Sequence, residues 1–236
     1  MTKFTYLIIA LLIYTSILQA QSNSISITDK WGSQIFISDG NGRAFENKYA
    51  EMTGTPYFIP NFKQSDIILK DGRKYKNIPA RINLLEQELN FISSNGEEGY
   101  IGKGLVSEIV VYDTLKSVPR LSRFISGVPA IDQQNSISFY QVLVTGNCSL
   151  LKSISKNIEE RSNELSGERS KEFATRENMY VFKQGVIKRL KKDNSLFSDF
   201  FQDKIDAVNK YYKDENLNIK NEAHLIQLMN YYNSLK

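Results

Sequence analysis

Cysteine and histidine are almost absent from this sequence, which contains one of each, Cys148 and His224. A single cysteine cannot form an intramolecular disulfide, so we expect packing alone to stabilise the fold. A structural zinc site needs several cysteine or histidine ligands at suitable spacing, and this composition excludes one. The sequence predicts neither a Ser-His-acid triad around His224 nor a nucleophilic pair of Cys148 with His224.

Long apolar runs are also missing. The run Phe4–Leu18 is shorter than the roughly 20 residues that a membrane-spanning helix needs, and no later run is longer. Lys3 precedes it and the small residue Ala20 follows it, which is typical of a secretory signal peptide. We therefore predict a cleaved signal peptide at residues 1–20, the alternative being a retained membrane anchor, and no transmembrane segment after cleavage. Gln21 stands where a bacterial lipoprotein needs cysteine, so the predicted location is periplasmic or extracellular, without a lipid anchor.

Charge and glycine patterning give little sign of nucleotides or nucleic acids. No Walker loop or G-x-G-x-x-G fingerprint occurs. The net charge is +4, one unit of which belongs to Lys3 in the predicted signal, and it is too small and dispersed to imply an anionic partner. The densest basic cluster combines Lys183 with the segment 188–192; such a cluster can touch phosphate, but is more typical of a solvated junction. We expect no nucleic-acid partner and no cofactor.

The residues that are present predict a folded chain of two parts. Hydrophobic residues make up 41%, including 13 Tyr and 13 Phe, which is enough for a packed core. Period-two alternation and turn signals run through residues 21–192 and predict a β-rich domain. Helical spacing replaces them from residue 193 onward, so residues 193–236 are predicted to form a C-terminal helical hairpin packed on the β domain.

Within the β-rich part, the clearest signal is a hairpin at Asp71-Gly72, because glycine tolerates the positive φ of a tight turn. Gln184-Gly185 predicts another hairpin. Polar loops are expected near residues 38–54 and 159–177, the second as a charged, exposed excursion. Short strands are predicted around Ile27, Ile35, Val110 and Val142.

Two apolar stripes predict the helices. The first has Phe197, Phe200, Phe201, Ile205, Val208 and Tyr212 on one face, and the second has Leu225, Leu228, Met229 and Tyr232. Asn218 or Asn221 can cap the second helix, and the short link predicts an antiparallel pair. The expected fold class is α+β: an antiparallel β-rich domain, sandwich- or barrel-like, followed by a C-terminal antiparallel helix pair.

Three segments carry a resemblance to a family of secreted proteins of Bacteroidota-type bacteria. They are Asp71–Phe91, with its Tyr-x-Asn-Ile-Pro-x-Arg core, then Tyr140–Lys152, and finally Leu228–Asn233. The resemblance implies export and a β-rich domain with a C-terminal helical hairpin, and it implies no catalytic residues. Ile82 stands where the pattern has tyrosine and Asn90 where an acidic residue is common, so any site built on those two positions would be altered here.

Carboxylates are the remaining candidates for chemistry. Glu86 with Glu88, Glu97 with Glu98, and Asp203 with Asp206 are close in sequence, and a glycosidase needs two carboxylates about 5–10 Å apart in a cleft. The segment 39–43 begins like a calcium loop but places Arg43 at a ligand position. We therefore predict no catalytic, cofactor-binding or metal-binding residue. The leading hypothesis is a non-enzymatic module that binds an envelope protein or glycan; the alternative is a carboxylate-dependent envelope hydrolase.

Overall fold

The computed structural model describes most of the chain beyond residue 51: the described residues are 26–28, 34–36, 49, 52–115, 118–162, 169–193 and 195–235. The predicted signal peptide, the segment 39–43 and most of the expected loop at 38–54 lie outside them. The strands predicted around Ile27 and Ile35 form a small antiparallel pair, β1 (Ser26–Thr28) and β2 (Gln34–Phe36).

One large sheet dominates the structure. Its strands run in the order β13-β12-β11-β10-β9-β8-β4-β5-β6-β7, every neighbouring pair is antiparallel, and β3 adds in parallel beside β12. The sheet does not close into a barrel. The bounds are β3 (Met52–Thr53), β4 (Lys63–Leu69), β5 (Lys74–Asn83), β6 (Glu88–Ile92), β7 (Glu98–Ile101), β8 (Val106–Leu115), β9 (Val118–Ile125), β10 (Tyr140–Val144), β11 (Cys148–Ser162), β12 (Arg169–Lys183) and β13 (Val186–Arg189).

Both predicted hairpin turns are confirmed. Gly72 has a φ of +89° between β4 and β5, and Gly185 has a φ of +79° between β12 and β13. Asp71 stabilises the first turn, because its Oδ1 accepts the N–H of Arg73 at 3.0 Å. Gln184 also has a positive φ, 51°, so both central residues of the second turn have the left-handed conformation that tight hairpins need.

In the charged segment 159–177, the described residues 159–162 and 169–177 form strand, not the loop that the sequence predicted. Residues 159–162 end β11 and residues 169–177 begin β12, with an unbroken antiparallel register between them. Cross-strand ion pairs replace apolar packing there: Arg161 contacts Glu172, and Lys171 lies 3.4 Å from Glu160. The charged composition correctly predicted exposure. It gave no sign of the strand, because cross-strand pairs of opposite charge stabilise an antiparallel ladder without burial.

The C-terminal part contains α1 (Ser195–Phe200), a 3-10 turn (Gln202–Lys204), α2 (Ile205–Asp214) and α3 (Glu222–Ser234). The first predicted helix is therefore two helices with a break after Phe200. The break allows two adjacent phenylalanines, Phe200 and Phe201, to be buried together. Asn221 caps α3 as predicted, accepting hydrogen bonds from the N–H groups of Ala223 and His224.

The order of contacts shows that α2 and α3 are antiparallel. Lys204, just before α2, donates to the carbonyl of Leu235 beyond the end of α3. Further along α2, the ring of Tyr211 stacks on Tyr231 at 3.8 Å, and its hydroxyl accepts from Gln227. Contacts thus move backward along α3 as α2 advances, which confirms the predicted helix pair.

Alternation along β11 divides the core between two faces of the sheet. Leu150 packs with the helices, and the adjacent Leu151 packs on the opposite face with Tyr140 and Tyr180. A separate apolar cluster lies in the β4–β9 half of the sheet. No helix within the described ranges is both long enough and apolar enough to cross a bilayer.

Candidate functional site

Strands β5 and β6 are paired over only part of their length. Residues Ala80–Asn83 pair with Glu88–Phe91, and β6 then continues beside β7 alone. The earlier part of β5, Lys74–Pro79, has β4 on one side and no strand from the described part of the chain on the other. The sheet is consequently split at this point.

Pro79 gives a local reason for the split. The N–H of Phe58 donates to the carbonyl of Ile82 at 2.9 Å, so Ile82 directs its backbone groups away from β6. Successive residues of a strand alternate in this direction, which means that Pro79, three residues earlier, faces β6. Proline has no N–H to donate, and the ladder ends at its neighbour Ala80.

An apolar cavity of about 190 Å³ lies where the two strands separate. Four buried core residues, Ile67, Tyr75, Phe91 and Ile101, form part of its lining. Ser93 and Ser94 of the β6–β7 turn also border it. An apolar cavity of roughly 150 Å³ can hold a benzene molecule. This cavity therefore has the size and chemistry to accept one aromatic ring or branched aliphatic group.

A bulge in β5 shapes another wall of the cavity. The register between β4 and β5 shifts between Ser65 and Ile67, and Asn77 opposite has a φ of 55°. Asp66 stabilises the bulge by accepting the N–H of Asn77 at 3.0 Å and the hydroxyl of Tyr112 at 3.0 Å. The hydrogen bond to Asp66 raises the pKa of Tyr112.

A cation clamp connects β5 with β7. The guanidinium of Arg81 lies 3.8 Å from the ring centre of Tyr57 and 4.3 Å from that of Phe62. It also donates to Glu98 at 2.8 Å. Stacking and ion pairing together position Arg81 in a single geometry, which fixes the strands on either side of β6.

Five residues of the segment that carries the family resemblance line the cavity: Tyr75, Asn77, Ile78, Pro79 and Phe91. The sequence pattern did not reveal that these residues line a cavity, because no local sequence signal shows that β6 separates from β5. The two departures from the pattern do not contribute to the cavity. Ile82 is a core residue that is 1% exposed, and buried Asn90 donates to Glu98 at 2.9 Å.

A second, polar groove of about 310 Å³ lies at the turn between β5 and β6. Glu86 is in its lining and accepts from Lys103 at 3.1 Å. Glu88, its predicted companion, is not in the lining. Amide side chains such as Gln133 and Asn157 make up much of the rest. The groove therefore brings together one carboxylate and several amides, not a pair of carboxylates.

Three carboxylates of the other acidic pairs, Glu97, Glu98 and Asp203, each have hydrogen-bond partners of their own. Glu98 binds Arg81 while Glu97 accepts from Asn95. Asp203 accepts the hydroxyl of Tyr232 at 2.9 Å and lies 3.3 Å from Lys183. Among the residues that the structure describes, no three His, Cys, Asp or Glu side chains are grouped as metal ligands would be.

The basic cluster is dispersed around the sheet–helix junction. Lys183 donates to the Tyr232 hydroxyl at 2.6 Å, and Arg189 donates to Asn178 at 2.6 Å. Lys188 and Lys191 are exposed. This arrangement fits the solvated junction that the sequence favoured.

His224 and Cys148 have separate structural roles. The Nδ1 of His224 accepts the backbone N–H of Asn218 at 3.0 Å, closing the turn before α3. Cys148 is 0% exposed. Burial raises the pKa of its thiol to about 11; Asp203 acts in the same direction and Lys183 opposes them. Because the thiolate is the reactive form, the thiol of Cys148 is a poor nucleophile at neutral pH.

We predict that Cys148 in the folded protein resists a disulfide reagent at pH 8. Its rate of modification should be at least about a hundredfold below that of an exposed thiol, because burial limits both access and ionisation. Ser136→Cys, at an exposed turn, supplies the reference thiol in the same chain. Rapid modification of both thiols without denaturant would contradict the buried assignment.

Comparison with protein-family models, with curated proteins and with solved structures finds no match to this chain. The family resemblance of the three segments therefore remains a prediction.

Proposed function

We propose that the protein is an exported, non-enzymatic binding module of the bacterial envelope that accepts an apolar group of a partner protein in the cavity between β5 and β6. The observation that carries the proposal is the cavity itself, with buried Ile67, Phe91 and Ile101 in its lining. An apolar core that opens at a split in a sheet is an unusual exposure of hydrophobic surface. The signal-peptide pattern of residues 1–20 supports the export part.

The position of the carboxylates favours binding over hydrolysis. A hydrolase of the glycosidase type needs two carboxylates converging on one cleft. No carboxylate of the described residues lines the apolar cavity. Among those residues, Glu86 is the only carboxylate in the lining of the polar groove. Because Glu86 is within 3.1 Å of Lys103, it has the contact of an ion pair, not the apolar environment of a general acid.

The cavity is expected to bind toluene with a dissociation constant of about 1 mM, as suits a ligand of few atoms. Isoleucine methyl NMR spectra of the full chain can follow the titration. The signals of Ile67, Ile78 and Ile101, which line the cavity, should shift, whereas that of Ile219 in the helical core should not.

Ser94→Trp gives the blocking variant, since Ser94 lines the cavity and is exposed. The indole should fill the opening and abolish the toluene shifts. Ser136→Trp, at an exposed turn outside the cavity, should leave them unchanged. Shifts that persist in Ser94→Trp, or that never arise in the unmodified chain, would refute the proposed site.

A further inference from the structure

We infer that the natural occupant of the cavity is an apolar side chain of an extended acidic peptide, which adds as a strand to the open edge of β5. The inference rests on the proposed function and specifies its partner. Peptide strands commonly bind by adding to a sheet edge, with main-chain hydrogen bonds giving affinity and pockets for alternate side chains giving specificity.

The backbone of β5 offers the required edge. The carbonyl of Arg73 accepts the N–H of Leu69 on β4, so alternation directs the backbone groups of Lys74 and Lys76 to the opposite, open side. No strand among the described residues occupies that side. A peptide placed there continues the position that β6 leaves beyond Phe91.

The side chains of the edge define the chemistry of the peptide. Tyr75 is buried, while Lys74 and Lys76 on either side of it are exposed. Neither lysine has a salt bridge to any described residue. Cross-strand neighbours of opposite charge stabilise an antiparallel pair. A peptide that alternates acidic and apolar residues therefore places its acids beside the lysines and its apolar side chain in the cavity.

The same lysines disfavour a second copy of this chain. Lysines on an edge strand prevent like edges from pairing, because two such edges repel each other. The β5 edge therefore does not pair with the β5 edge of a second copy, and it can pair with a strand of the opposite charge. This selectivity makes the acidic peptide, and not a β5–β5 dimer, the occupant that the geometry points to.

The test uses the full chain and the acetylated, amidated hexapeptide Thr-Glu-Ile-Glu-Val-Thr, with binding measured by calorimetry. In an antiparallel pair, a residue opposite an edge-facing lysine exchanges both backbone bonds with it. The glutamate N–H groups then face β5 and the isoleucine N–H faces away. N-methylation of both glutamates should weaken binding at least about tenfold, and N-methylation of the isoleucine less than about threefold.

The charge requirement has its own matched variants. Lys74→Glu combined with Lys76→Glu should weaken binding about tenfold, because two attractive neighbours become repulsive. Lys210→Glu combined with Lys213→Glu, at exposed positions of α2, makes the same change in net charge and should have little effect. Toluene shifts retained in both double variants would show that they are folded.

The outcomes separate the inference from the proposed function. If toluene binds but the peptide does not, or if both N-methylated peptides lose affinity equally, strand addition is wrong and the cavity assignment stands. Equal affinity of the two charge variants would overturn the acidic specificity. If the unmodified chain binds neither the peptide nor toluene, the proposed binding function of the cavity is refuted too.

Discussion

Replacement of Leu228 with alanine is expected to lower the free energy of unfolding by about 3 kcal/mol, within the range for a fully buried leucine. Leu228 is 0% exposed and belongs to the core in which the helices pack on β10, β11 and β12. The substitution removes apolar contacts and leaves a cavity between the helices and the sheet, which relaxation of the two layers cannot fully close. Urea unfolding followed by circular dichroism at 222 nm measures the change, provided that the m-value is unaltered.

Leu121→Ala is the matched control, since Leu121 is 60% exposed on β9. Its expected cost is below about 0.5 kcal/mol. Similar costs for the two substitutions would contradict the packing of α3 on the sheet. A difference of about 2 kcal/mol or more supports it.

The second large effect is expected at Asn233, which connects α3 with the start of β11. Its Oδ1 accepts the N–H of Cys148 at 3.0 Å, and its Nδ2 donates to the carbonyl of the same residue at 2.9 Å. Asn233→Ala leaves both backbone groups of Cys148 without these partners, at an expected cost of about 2–3 kcal/mol. Asn230→Ala, at an exposed position of the same helix, should cost below about 0.5 kcal/mol.

Gly146 makes this contact testable in a double-mutant cycle. A Cβ at Gly146 would lie 2.6 Å from Cγ of Asn233, and the two hydrogen bonds to Cys148 hold that amide in place. Gly146→Ala should therefore cost about 2 kcal/mol in the unmodified chain, because it displaces the amide. In the Asn233→Ala background the space is free, and the cost should fall below about 0.5 kcal/mol. Additive costs would show that the two residues act independently.

Local chemistry made several elements predictable. Asp71-Gly72 encodes its turn through two residues, one with a hydrogen-bonding side chain and one without a Cβ. Asn221 encodes the start of α3 through its side-chain oxygen. Each of these signals acts within three residues, so no knowledge of the partner elements is needed.

Other features depend on residues far apart in the chain. The segment 159–177 has the composition of a solvated loop, and only pairing between β11 and β12 makes its described residues strand. The break after Phe200 arises where two adjacent rings both enter the core. Neither outcome follows from the period of a sequence pattern, since the period predicts which face of an element is buried but not which element packs against that face.

The candidate site belongs to this second group. Tyr75, Asn77, Ile78 and Pro79 stand in a recognisable sequence segment, yet the cavity exists only because β6 leaves β5 beyond Phe91. The sequence places a proline at position 79, but nothing in it shows that this residue faces β6. The orientation of Pro79 follows from the hydrogen bond between the N–H of Phe58 and the carbonyl of Ile82 on the other side of β5.

Composition and neighbours along the chain were enough to predict the signal peptide, the β-rich and helical parts, the turns and the lack of an intramolecular disulfide. The order of the strands, including the placement of β8 beside β4, became visible only in the folded chain. The same holds for the split at Pro79 and for the apolar cavity next to it. Alternation along a strand predicts which side chains are buried, whereas contacts between residues distant in sequence select the neighbouring strand.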